Sequence, residues 1–262
     1  DMDIQTLLLL SCTVFGAALL QAATGIGYGV IAGPILLIVL NGSEAFEIST
    51  LHNLIIAIVL FPVVRNMVNT NLLSFLIVGG SLGILTGFLF QNLFSVWVLK
   101  VFSAVMVSFV ATSLALDMRH TEQVDRSDSQ PAKEISVVGF LSGIMGGMLA
   151  MPGPIAATWM SVRGYSKQET RSTILALFIF AYGSNVLLYW STYGFSNDVL
   201  KLTLTLAAPL ALGIFIGNTI SKHVSEVMVR KVLLAVLLAT VASLVADWIV
   251  WTLVAPVVAS LG

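Results

Sequence analysis

The sequence predicts an all-α polytopic membrane protein made of two inverted-topology repeats, each a broken or re-entrant helical hairpin followed by three transmembrane helices. Three observations lead there. Only 12 Lys and Arg and 13 Asp and Glu occur in 262 residues, and mean hydropathy is +1.00, too apolar a balance for a surface facing water. Apolar stretches approaching the length needed to cross a bilayer, about 20 residues, recur along the whole chain. Glycine and proline interrupt two of these stretches at related places, one in each half.

The elements follow in order. Leu7–Leu40 carries Gly25-Ile26-Gly27-Tyr28-Gly29 and then Gly33-Pro34, so it is predicted to cross, break near Thr24–Gly29 and return. Leu51–Val64, Leu72–Phe90 and Val96–Leu116 complete a first repeat over residues 1–116. Residues 117–134 form a solvated linker, the one strongly polar stretch, with Asp117, Arg119, Glu122, Asp125, Arg126, Asp128, Lys133 and Glu134. Ile135–Met160 opens the second repeat, residues 135–247; at about 1.5 Å per residue it is too short for two passages of a core about 30 Å thick and should enter and turn back. Gly143, Gly146 and Gly147 supply the freedom for that bend, and Pro152 removes a donor. Ile174–Trp190, Leu202–Ile220 and Val232–Ala246 follow, then an apolar tail at 248–262 that either crosses, lies flat at the interface or packs in a homodimer.

Internal repetition supports the two-repeat division. A shift of 130 residues places Gly83 and Gly87 on Gly213 and Gly217, a shift of 118 places Gly25, Gly29 and Pro34 on Gly143, Gly147 and Pro152, and a shift of 123 places Ser49-Thr50 on Ser172-Thr173. Lys and Arg then set orientation: Arg65, Arg119/Arg126/Lys133, Arg163/Lys167/Arg171 and Lys222/Arg230/Lys231 mark the cytoplasmic side, which leaves both termini outside. The alternative treats each long run as one tilted span and gives eight spans in two same-way halves, at the cost of placing Arg163, Lys167 and Arg171 outside.

Several classes are disfavoured by the same residues. A net charge of −1 offers no basic face for nucleic acid. Cys12 is the single cysteine, so no intrachain disulfide forms, and the three histidines have no metal-ligand spacing, so neither a metal nor any other cofactor is expected. An enzyme would need a nucleophile with its base or a metal cluster at one depth, and His52, the one intramembrane histidine, has no acidic partner there.

Gly25-Ile26-Gly27-Tyr28-Gly29 with Pro34, Gly139-Phe140-Leu141-Ser142-Gly143-Ile144-Met145-Gly146-Gly147 with Pro152, and Gly213/Gly217 ahead of Arg230 together resemble the TauE/SafE family of sulfite and organosulfonate exporters. The resemblance covers residues 8–246. It implies a secondary carrier in the cytoplasmic (inner) membrane of a bacterium or archaeon, moving a small sulfur-containing anion such as sulfite, sulfoacetate or a taurine-derived compound. The bilayer and that anion are the expected partners.

A half-helix beginning inside a membrane presents unpaired N–H groups and a positive dipole end, a natural seat for an anion. The breaks at Gly25, Gly27 and Gly29 and at Gly143, Gly146 and Gly147 are expected to supply such a pair. Candidate side chains beside them are Gln21, Thr24, Tyr28, Ser49, Thr50, His52 and Asn53 in the first half, and Arg171, Ser172, Thr173, Tyr182 and Asn185 in the second. His52 is open to two readings, substrate or proton handling and a hydrogen-bonded structural role; Asn185 is open to substrate contact or a helix-to-helix hydrogen bond, and Arg171 to a mouth ligand or an orientation charge. Gly79-Gly80, Gly83, Gly87, Gly213 and Gly217 suit close helix packing, and Lys100, Arg230 and Lys231 suit anchoring near the headgroups.

An inside-negative potential drives a monovalent anion outward by about 2.3 kcal/mol per 100 mV, so export needs no coupled ion. Facilitated export is therefore favoured, with proton coupling through His52 as a variant. A carrier for thiosulfate or a small carboxylate, and an anion channel, remain as alternatives.

Overall fold

The computed structural model describes residues 3–25, 27–118, 130–220 and 226–259. They form eleven α-helices: α1 (Ile4–Thr24), α2 (Tyr28–Leu40), α3 (Glu44–Val64), α4 (Thr70–Leu93), α5 (Val96–Asp117), α6 (Ala132–Leu149), α7 (Gly153–Val162), α8 (Lys167–Thr192), α9 (Asn197–Thr205), α10 (Ala207–Ile220) and α11 (Glu226–Ala259), with one 3-10 turn at Arg65–Met67. Short polar side chains start several of them: Asp3, Asn69, Ser166 and Ser196 each accept from an amide three residues on. Seven helices are long and apolar enough to cross a bilayer, and α9 with α10, bent by 40° at Leu206, forms an eighth candidate. Large apolar residues such as Val63, Trp190, Leu204 and Phe215 cover the outward faces, as a lipid solvent demands.

The first break lies where the sequence places it. Gly25 closes α1 with φ 88°, a conformation that needs glycine, and α2 begins at Tyr28. The second break is displaced. Gly143, Gly146 and Gly147 lie inside α6, which ends only at Ala150 with φ 55°, and α7 starts after Pro152. Gly139, Gly143 and Gly147 are four residues apart and share one face, against α4; a Cβ on Gly143 would lie 2.5 Å from the Gly80 carbonyl oxygen. Their bare faces admit a neighbouring backbone instead of bending their own.

The same contact recurs between the other pair. Gly83 and Gly87 of α4 face the carbonyls of Phe140 and Ile144, and Gly213 and Gly217 of α10 face those of Phe15 and Leu19. Phe15 thus corresponds to Phe140, Leu19 to Ile144 and Gly25 to Ala150, a shift of 125 rather than 118. Each hairpin is packed against a helix of the other half.

Polar contacts at the helix ends fix directions. Arg163, which caps α7, pairs with Glu134 in the first turn of α6, and Trp159 Nε1 donates to the same carboxylate at 2.8 Å, so the arm does turn back on itself. Lys100 Nζ meets Asp247 at 2.9 Å and Arg230 meets Asp117, which makes α5 and α11 antiparallel and ties them at both ends. These cations pair across the helices, whereas the sequence suggested headgroup anchoring. Asn69 donates to Thr173 and Glu169, so the connection from α3 into α4 meets the start of α8. Asn69, Asp117, Glu134, Arg163 and Glu169 thereby gather at one end, and Gln91, Asn92, Lys100, Tyr189, Tyr193 and Asp247 at the other.

Two further elements differ from expectation. The predicted single helix at Leu202–Ile220 starts earlier, at Asn197, and breaks at Leu206, three residues before Pro209, which cannot extend the donor ladder. Residues 248–259 continue α11. Arg119, Glu122, Asp125, Arg126 and Asp128 of the linker, and Lys222, lie outside the described residues.

Candidate functional site

The two breaks meet at the centre of the bundle. Gly29, in the first turn of α2, passes so close to the second break that a Cβ there would be 2.7 Å from the Ala150 carbonyl oxygen, and Gly33 lies against Met151. Only glycine allows this approach. Around it Gln21, Tyr28, Ser49, His52, Asn53, Tyr182 and Asn185 are all buried, so the site is closed to solvent on both sides.

Helix α1 holds the first tip through its own last turns. Gln21 Oε1 accepts from the Tyr28 amide at 2.7 Å, Gln21 Nε2 donates to Asn53 Oδ1 at 3.3 Å, and Asn53 Nδ2 donates to the Ser49 carbonyl at 2.9 Å. The first amide of α2 is therefore taken by a side chain. At the other tip Pro152 and Pro154 remove donors from the start of α7, so the two half-helix ends present fewer free N–H groups than expected.

Tyr28 Oη lies 2.6 Å from His52 Nδ1, and His52 Nε2 lies 3.1 Å from the Thr203 carbonyl oxygen. A carbonyl only accepts, so Nε2 carries a hydrogen toward Thr203, and Nδ1 shares its hydrogen bond with the Tyr28 hydroxyl. Both ring nitrogens of His52 are thus engaged, joining α2, α3 and α9. This favours the structural reading of that residue.

The second tip is held from α8. Tyr182 Oη donates to the Ala150 carbonyl at 3.1 Å, and Asn185 Nδ2 donates to the Gly146 carbonyl at 2.8 Å. Ala150 is one of two non-glycine residues with positive φ among those described, and its carbonyl is the one Tyr182 pins. Asn185 Oδ1 and Ser49 Oγ are buried without partners beside this tip, polar capacity that a guest could fill.

Arg171 lies under the first tip. Its Cγ would be 2.6 Å from a Cβ on Gly25, and its Nη2 donates to the Ala22 carbonyl at 2.8 Å in the last turn of α1. Its Nε is buried without a partner, and none of the ion pairs among the described residues includes it. A half-buried guanidinium without a carboxylate is costly unless an anion visits it.

The remaining candidates are spread around this centre. Gly27 leads into α2 against the Gln21 backbone, and Thr24 donates to the Leu20 carbonyl at 2.7 Å. Ser172 donates to Gln168 within its own helix, and Thr173 accepts from Asn69, so both are occupied in holding α8 and α4. Thr50 faces Tyr189, nearer the opposite end. Gly143 and Gly147 face α4, whereas Gly146 contributes its carbonyl and packs on Pro152. Ala150 and Met151 were missed; Pro152-Gly153-Pro154 was the available signal, since two prolines flanking a glycine stop a helix more firmly than glycines alone.

Residues 10–244 match the model of a family described as sulfite exporter TauE/SafE. Comparison with curated proteins and with solved structures gave no match. With the family match spanning nearly the whole membrane-embedded region and the helices long enough to cross it, the chain belongs to the TauE/SafE sulfite exporter family of multi-pass membrane transporters.

Proposed function

We propose that this chain exports a small sulfur-containing anion, a sulfonate such as sulfoacetate or a taurine-derived compound, or sulfite, by alternating access across the cytoplasmic membrane. The observation that carries the reading is Arg171: a positive charge with no carboxylate partner among the described residues, seated under a helix break and beside a buried polar centre. A sulfonate or sulfite offers several oxygens to a guanidinium fork, and Arg171 supplies attraction where the helix ends have few free amides.

The end holding Glu134 is the cytoplasmic one. Arg65, Arg163, Lys167, Arg171 and Arg230 lie toward it, whereas the opposite end has Lys100, already paired, and Lys201. The antiparallel courses of α3 with α8 and of α5 with α11, helices that correspond between the halves, support inverted repeats. The inside-negative potential then drives the anion from Arg171 toward the outer face, about 2.3 kcal/mol per 100 mV for one charge.

Counterflow in proteoliposomes at controlled voltage tests this, with labelled sulfoacetate, taurine, sulfite and a carboxylate analogue. Saturable exchange of the sulfur anions with outward bias under a negative interior is expected, and R171Q raises KM about tenfold or more. Equal flux of every anion, strict dependence on a cation gradient, or an R171Q protein with unchanged KM would refute the reading.

A further inference from the structure

One face of α8 runs from one polar end of the bundle to the other. Phe178, Tyr182, Asn185 and Tyr189 recur at three- and four-residue intervals along it, with Arg171 two turns before Phe178. From Arg171 to Tyr189 this face runs about 27 Å at 1.5 Å per residue, nearly the thickness of the hydrocarbon core. Tyr182 and Asn185 hold the second break from it, and Tyr189 Oη donates to Gln91 Oε1 at 2.7 Å near the outer end.

Opposite Tyr189, in the first turn of α3, lies Glu47. It is 8% exposed, close enough to Tyr189 to interact electrostatically, and forms no ion pair with any cation among the described residues. Beside it Thr50 Oγ1 and Gln91 Nε2 are both buried without partners. The helix N-terminus offers some compensation for a carboxylate, but Glu44, exposed in the same turn, already supplies that charge. A second carboxylate at the same helix end adds repulsion from Glu44 without adding a cation among the described residues as its partner.

The halves place these charges at related positions. The shift of 123 that sets Ser49-Thr50 on Ser172-Thr173 brings Arg171 onto Ile48, next to Glu47. The corresponding turns of α3 and α8 therefore carry opposite charges, the cation at the inner end and the carboxylate at the outer end.

We propose that Glu47 is the residue that weakens binding of the anion at the outer mouth and so speeds its release, opposing the capture by Arg171 at the inner mouth. This rests on the anion-export reading above. An anion moving along α8 leaves a positive charge and approaches a negative one in a region of low dielectric, where such repulsion is weakly screened. A fixed charge cannot alter the equilibrium distribution of a passively carried solute. It raises KM on the outer side, and the maximal rate of release rises with it.

The test uses sided proteoliposomes and two probes, labelled sulfoacetate and labelled sulfite, with KM measured separately from each face. E47Q is expected to lower the external KM about tenfold, to slow net efflux at saturating internal probe, and to leave the internal KM close to its starting value. E47D, which keeps the charge, is expected to retain the high external KM, and E47A serves as a second uncharged variant should E47Q fail to accumulate. Transport by the unaltered protein with unchanged external KM in E47Q or E47A would overturn the role of Glu47 alone. Absence of flux for both probes in the unaltered protein would overturn the export reading and this inference with it.

Discussion

Replacing Gly29 by alanine isolates the contact between the two helix breaks. The new Cβ would lie 2.7 Å from the Ala150 carbonyl oxygen, against about 3.4 Å for an ordinary contact, so α2 and the second break must part by about 0.7 Å. Both partners are backbone, and Ala150 is held by Tyr182 at 3.1 Å, so no side chain can rotate away to absorb the strain. Overpacking of this kind costs about 1–3 kcal/mol, and losing the Tyr182 hydrogen bond about 1 kcal/mol more. Alanine returns about 1 kcal/mol through helix propensity, leaving a net loss of about 1–3 kcal/mol. The control is Gly183→Ala in α8, where nothing lies within 4 Å of the added carbon and a gain of up to about 1 kcal/mol is expected. Thermal unfolding of both variants in the same detergent gives the comparison, with counterflow on G29A to follow. If G29A is stabilised as much as G183A, the tips do not touch and the closed centre described above is wrong.

Two other expectations follow from the hydrogen bonds and the helix directions. H52Q keeps the pH profile of transport, because both ring nitrogens of His52 are already engaged in holding Tyr28 and the Thr203 carbonyl, while stability falls by about 1–2 kcal/mol as one of these contacts is lost; a flattened pH profile measured by counterflow would return the proton role to this residue. In a C12S background, cysteines placed at Ser43 and Ser191 react with an impermeant maleimide from one face and a cysteine at Gln168 from the other; S43C and S191C labelling from opposite faces would establish a single crossing by α6 and α7 and end the inverted arrangement.

How much of this was legible in the sequence depends on whether the cause was local. Gly25, needed at positive φ, and the glycines that follow it marked the first break to within a residue or two, whereas Pro34 lies inside α2. The second was misplaced because glycine has two uses that look alike in a chain. Gly139, Gly143 and Gly147 repeat every four residues, the spacing that bares one helical face, and Gly79, Gly83 and Gly87 repeat likewise on α4. Read together, those two stripes announce a helix pair, and the stop belongs to Pro152 and Pro154. The buried polar side chains were legible as interior-facing because lipid would not tolerate them, and Gln21, His52, Asn53, Tyr182 and Asn185 are all inside. Their partners were not: that Gln21 caps α2 from the preceding helix, or that Thr203 receives His52 across 151 residues, is set by tertiary packing. Glu47 escaped notice because a glutamate near a predicted helix end reads as solvated, and only the packing of α8 buries it.

The glycine stripes also constrain how the centre can open. Between α4 and α6, and between α1 and α10, backbone rests on backbone through successive turns, with a Cβ on Gly213 only 2.5 Å from the Phe15 carbonyl oxygen. Such surfaces interdigitate too closely to slide by part of a turn without collision. Under the alternating access proposed above, each hairpin is therefore expected to travel with the helix of the other half that it grips, making the moving bodies cross-half pairs rather than the two sequence repeats. What lies between those bodies is a different kind of contact: Gly29 against Ala150, with His52 of α3 holding Tyr28 at the first tip and Tyr182 of α8 pinning the second. It is polar at its margin, and each of its hydrogen bonds is worth about 1 kcal/mol net. Opening is thus easiest across the tips, along the line that leads from Arg171 past Tyr182 and Asn185 to Tyr189.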